Sequence, residues 1–230
     1  MYLQLKYIKG GFFMKKENQK NFFAAAILLV AFVLWTVLIC FVDVKPIGPN
    51  NSSVGFATLN GFIHNLTGAN MLLYNITDWL GLVPIAFALG FAVLGLYQWI
   101  KRKHILKVDY NILALGVFYI VVMAVYFLFE TVVINYRPVL IGGYLEASYP
   151  SSTTMLVISI MSTTIMQFNS RIKRSKLRFY VNLLIFIFII FMVIGRLISG
   201  VHWITDIIGG ILISSGLLLI YRSVIKTHCF

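Results

Sequence analysis

Residues 195–206 read Gly-Arg-Leu-Ile-Ser-Gly-Val-His-Trp-Ile-Thr-Asp. One apolar segment ends here and the next begins. Between them stand a cation, an imidazole and a carboxylate: Arg196, His202 and Asp206. Ionisable groups at membrane depth are expensive, and they mark function. Asp206 follows His202 by four residues, so on a helix it lies one turn on and on the same face. That spacing lets a carboxylate orient an imidazole and stabilise its charge.

The segments on either side are apolar, and so is most of the chain. Of its 230 residues, 60% are hydrophobic and 11% are charged. That is about half the charge of an ordinary soluble domain. The composition predicts an all-α, polytopic membrane protein with one membrane domain. A formal charge of +12 would suggest nucleic acid in a soluble protein. Here it marks loops held in the cytoplasm, and no nucleic-acid partner is expected. Cys40 and Cys229 would fall on opposite sides of the bilayer, out of disulfide range. No His, Cys or carboxylate group has metal-ligand spacing, so neither a metal nor another cofactor is expected.

A spanning helix needs about 20 mostly apolar residues. Six segments qualify: 21–42, 79–100, 110–130, 152–168, 179–195 and 203–221. They predict a six-helix bundle over 21–221, between an N-terminal tail 1–20 and a C-terminal tail 222–230. The run after Lys20 is too long for a signal-peptide core and lacks a small-residue cleavage site, so it reads as a retained helix. Met14, followed by two lysines, would serve as a start. Of the 19 Lys and Arg residues, all but Lys45, Arg137 and Arg196 fall in the tails and in the loops 101–107 and 171–178. This asymmetry predicts cytoplasmic termini, with 43–78, 131–151 and 196–202 facing outward. Short loops and the lack of targeting signals favour a bacterial inner membrane. No span shows a polar stripe along its length, which argues against a channel. Gly209, Gly210 and Gly216 suit close helix packing. In the first outward loop Phe56, Leu59, Ile63 and Leu66 recur at helical spacing. Either an amphipathic helix in the outer leaflet or a packed loop accounts for them.

Three polar clusters fall on the outward side. The first is Glu130 with Asn135-Tyr136-Arg137-Pro138. The second is Ser148-Tyr149-Pro150-Ser151-Ser152-Thr153-Thr154. The third is Arg196, His202 and Asp206. Arginine offers a permanently charged planar fork that matches phosphate oxygens. Ser151, Ser152 and Thr153 at a helix start offer hydroxyls, free N–H groups and the positive end of the dipole. His202 near the next helix start would stay neutral, with Asp206 accepting from one ring nitrogen and the other free to attack phosphorus.

Arg-x5-His-x3-Asp, preceded by Pro-Ser and by Arg-Pro, resembles the type 2 phosphatidic acid phosphatase family of membrane lipid phosphatases, in the vanadium haloperoxidase-like superfamily. That family has a six-helix core and three motifs: Lys-x6-Arg-Pro, Pro-Ser-Gly-His and Ser-Arg-x5-His-x3-Asp. The resemblance implies that Arg137 and Arg196 clamp phosphate oxygens and that Ser151 and its neighbours complete the cradle. It also implies that His202 is the nucleophile and Asp206 its orienting partner. Three positions depart from the pattern. Glu130 stands where the first motif has Lys, Gly195 replaces Ser, and Thr153 stands where the second motif has its general-acid His. Glu130 then becomes either a substitute acid or an ion-pair partner of Arg137, and Glu146 is a further candidate acid.

The expected function is an outward-facing lipid phosphatase acting through a phosphohistidine. A diphosphate headgroup, such as that of a polyprenyl diphosphate, is preferred over a phosphatidate-like monophosphate. A phosphotransferase, or a non-catalytic binder or transporter of phosphorylated lipids, are the alternatives. The expected partners are that lipid and the bilayer, with the oligomeric state left open.

Overall fold

The computed structural model describes residues 2–227, with side chains from residue 18 to residue 226. Cys229 and the side chains of the basic residues Lys6 to Lys16 lie outside the described residues. Eight α-helices follow in order: α1 Tyr2–Phe41, α2 Ala57–Thr67, α3 Met71–Leu80, α4 Leu82–Arg102, α5 Tyr110–Thr131, α6 Ser152–Arg171, α7 Ser175–Ile198 and α8 Ile204–Thr227. The first helix continues back through residues expected to form a tail.

Among the described residues, five stretches are long and apolar enough to cross a membrane: Asn18–Phe41, Met71–Arg102, Tyr110–Thr131, Ser175–Ile198 and Ile204–Lys226. The chain is an all-α polytopic membrane protein. The remaining expected span, 152–168, coincides with α6, which has 20 residues but is too polar to qualify. Thr154, Ser159, Thr163, Thr164 and Gln167 are all buried along it. The expectation that no span carries a polar stripe is therefore corrected. The stripe is tolerated because α6 is the central helix, packed against α4, α5, α7 and α8. Two of its hydroxyls return to their own backbone: Thr163 Oγ1 donates to Ser159 O at 2.9 Å, and Thr164 Oγ1 to Ile160 O at 2.8 Å. Polar groups satisfied inside the bundle carry little of the penalty they would carry against lipid. The outer helices show the opposite pattern, with Phe23, Val93, Ile120 and Leu184 exposed.

Within the segment 43–78, the helix expected from the spacing of Leu59, Ile63 and Leu66 forms as α2, and α3 follows it. The apolar outer face of α2 is Leu59, Phe62 and Leu66. Its inward face carries Asn60, whose Nδ2 donates to Thr205 Oγ1 at 3.0 Å. Phe56 precedes the helix and stacks on Trp35 at 5.0 Å between ring centroids.

α1 lies along α8 and holds the segment that enters α6. Thr36 Oγ1 meets Tyr149 Oη at 2.7 Å, and Phe32 stacks on the same ring. Behind Tyr149 stands Gly209, where a Cβ would lie 2.4 Å from Tyr149 Cε2. Gly209→Ala should therefore cost about 1–3 kcal/mol through overpacking, read as a lower thermal midpoint in detergent.

Candidate active site

The three polar clusters converge at one end of the bundle. Residues 135–137 run antiparallel to 146–148: Ser148 N donates to Asn135 O at 2.9 Å and Arg137 N to Glu146 O at 3.1 Å. This pairing sets Arg137 across from Glu146 and Ser148 across from Asn135. The indole of Trp203 donates to Tyr136 O at 2.7 Å, which ties the third cluster to the first. Ser151 N donates to Asp206 O at 3.0 Å, which ties the second to the third.

Local structure explains each placement. Ser151 caps α6, its Oγ accepting from Thr154 N at 3.4 Å. The N–H groups of Ser152 and Thr153 have no acceptor within the helix. Gly200 turns the chain between α7 and α8 with φ +66°, and a Cβ there would lie 1.7 Å from Gly68 O. Only glycine fits that turn. His202 follows it, two residues before α8. Asp206 Oδ2 accepts from Trp203 N at 2.9 Å, the return half of a capping box. One carboxylate thus both starts the helix and faces the imidazole.

His202 is 3% exposed and Asp206 0%. His202 Nε2 lies 3.5 Å from an Arg137 Nη. Its Nδ1 lies 3.1 Å from Ser148 Oγ and 3.6 Å from Asp206 Oδ2. Ser148 Oγ also donates to Asp206 Oδ2. Burial, reinforced by the charges of Arg137 and Arg196, holds the His202 imidazole well below its usual range. This favours the neutral ring, and the guanidinium of Arg137, which can only donate, faces Nε2.

Arg196 is held from two sides. One Nη donates to Asp78 Oδ1 at 2.8 Å and to Thr153 Oγ1 at 2.6 Å. The other donates to Thr77 Oγ1 at 3.3 Å, and the guanidinium lies over the Tyr74 ring. Asp78 thus occupies part of the fork expected to meet phosphate. Its carboxylate is 56% exposed, so a screened pair of modest strength is expected. Asp78→Asn should lower stability by about 1 kcal/mol and tighten competitive inhibition by inorganic phosphate, because an anion no longer competes for Arg196.

Glu130 does not pair with Arg137 as one sequence reading had it. Arg137 Nε lies 3.1 Å from Glu146 Oε2 instead. Glu130 is exposed, beside Tyr126. The reason is the 135–148 pairing, which brings Glu146 across from Arg137. Sequence reading placed Ser148 in the second cluster without a role and did not single out Asp78, Tyr74 or Thr77. Their approach to Arg196 depends on the fold-back of α3. No spacing within the motifs signals it.

An all-helical membrane bundle thus gathers two arginines, a buried histidine and a carboxylate at one end. Residues 130–228 match the family model described as the PAP2 superfamily. The fold is similar to the crystal structure of a transmembrane PAP2-type phosphatidylglycerolphosphate phosphatase from Bacillus subtilis. The TM-score is 0.63 at 15% sequence identity, covering 89% of this chain and 96% of that one. At that identity the likeness speaks for the fold. No curated protein matches the chain significantly.

Proposed function

We propose that the protein hydrolyses the headgroup of a phosphorylated lipid on the extracytoplasmic face of a bacterial membrane, preferring a diphosphate. The observation that carries this reading is the polarity of His202. Nδ1 is tied toward Asp206, while Nε2 keeps its lone pair on the side of Arg137. The phosphoryl group would lie against Arg137, Arg196 and the N–H groups of Ser152 and Thr153. Nε2 attacks phosphorus, an N–P bond forms, and the P–O bond to the leaving group breaks with its electron pair. Water then attacks the phosphohistidine and releases inorganic phosphate.

The orientation rests on the distribution of Lys and Arg, which favours cytoplasmic termini. The apolar outer face of α2, with Leu59, Phe62 and Leu66 exposed, suits a helix lying in the outer leaflet. A lipid tail then stays in the bilayer while its headgroup enters the basic end of the bundle.

The test is phosphate release from a polyprenyl diphosphate and from a lipid monophosphate, with purified protein in liposomes. Hydrolysis of neither above a His202→Ala control would overturn the reading.

A further inference from the structure

The sequence motif pairs His202 directly with Asp206. In the fold a third residue stands between them. The 3.6 Å from Nδ1 to Asp206 Oδ2 exceeds a hydrogen bond. Ser148 Oγ fills the gap, 3.1 Å from Nδ1 and hydrogen-bonded to Oδ2.

The direction of each bond follows from donor and acceptor capacity. A guanidinium only donates, so Nε2 facing Arg137 carries the lone pair and the ring proton sits on Nδ1. Ser148 Oγ accepts that proton's hydrogen bond. Its single O–H is left for Asp206, whose carboxylate only accepts. The chain therefore runs one way, from Arg137 through the imidazole and the serine hydroxyl to the carboxylate. Ser148 has little freedom to leave it, being 2% exposed with its N–H bonded to Asn135 O.

We infer that Ser148 is a positioning residue that couples His202 to Asp206. It fixes the Nδ1–H tautomer and so keeps Nε2 as the attacking nitrogen. When Nε2 bonds to phosphorus the ring becomes cationic and Nδ1 keeps its proton. The hydroxyl then stands between that N–H and the carboxylate charge. A partner that orients a reacting or ligating imidazole from outside the first contact is commonly worth about 10–100-fold. The kinetic consequence rests on the proposed nucleophilic role of His202, whereas the tautomer does not.

The experiment uses the full chain in detergent micelles with ¹⁵N-labelled histidine. The four histidines are assigned with a His202→Asn variant. The wild type should show His202 as the Nδ1–H tautomer. Ser148→Ala should lose that preference, and kcat on a polyprenyl diphosphate should fall by about 10–100-fold with KM little changed. Ser148→Thr keeps the hydroxyl and should restore both signatures. If Ser148→Ala does not fold, Ser148→Cys keeps the volume with a weaker donor and should show the same two losses in milder form. An unchanged tautomer in the alanine or cysteine variant would overturn the inference, since Asp206 would then reach Nδ1 without help. A lowered kcat with the tautomer intact would overturn it too. If the wild type shows no turnover above His202→Ala, the phosphatase reading fails, while the tautomer measurement still decides the role of Ser148.

Discussion

Replacing His202 with asparagine is expected to lower phosphate release by at least ~10³-fold, because the covalent route disappears. Asparagine is the informative choice. Its Nδ2 can still donate toward Ser148, so the polar chain to Asp206 keeps a donor at its head. What it lacks is a lone pair that can bond to phosphorus. His202 is almost wholly enclosed, and alanine would leave a polar cavity beside Ser148 and Asp206. A dead alanine variant could then reflect a collapsed site. Asparagine with a near-normal thermal midpoint and no turnover separates chemistry from folding. The same variant should show no acid-labile, alkali-stable phosphoprotein after a rapid quench with labelled substrate. Residual turnover within about tenfold of wild type would mean that water attacks phosphorus directly. The arginines alone would then be responsible for catalysis.

The fold was legible where apolar runs were long. The start of α5 was expected at 110 and lies at Tyr110, and α8 was expected at 203 and starts at Ile204. The polar helix α6 was placed correctly, but its stripe of buried hydroxyls was not recognised. Hydropathy sees composition, while the burial of Ser159 and Thr163 depends on four surrounding helices. In the site, the motif spacing puts Arg196, His202 and Asp206 on one turn and its flanking helices. It could not show that Ser148 separates His202 from Asp206. That depends on the antiparallel pairing of 135–137 with 146–148, a contact between two loops. The same pairing explains why Glu146 rather than Glu130 meets Arg137. Asp78 was invisible for a related reason: α3 folds back onto α7, more than a hundred residues further along the chain.

Under the proposed mechanism, Thr153 bears on which lipid the site would use. Its Oγ1 accepts from Arg196, which puts it at the proposed phosphate clamp, at the position where the motif it resembles has a general-acid histidine. A hydroxyl of ordinary acidity cannot replace an imidazolium as a proton donor. From a lipid monophosphate an alkoxide must leave, and its conjugate acid is about as weak an acid as bulk water. From a lipid diphosphate a phosphate monoester leaves, with a second pKa of about 6. Only the first departure needs a proton in the transition state. A positioned general acid is worth about 10²–10⁴ in rate, so kcat/KM should favour the diphosphate by that factor when the two substrates share one lipid tail. Thr153→His then supplies a donor at the clamp. It should raise monophosphate turnover more than diphosphate turnover and narrow the preference by about tenfold or more. Equal wild-type rates on both substrates would show that another group protonates the leaving oxygen. Glu146, 42% exposed and held by Arg137, is then the carboxyl to replace first. If Thr153→His depresses both rates together, the new side chain displaces Arg196 from its contacts. A companion Thr153→Asn variant, polar and smaller but without a titrating group, distinguishes that steric effect from a failure of the leaving-group argument.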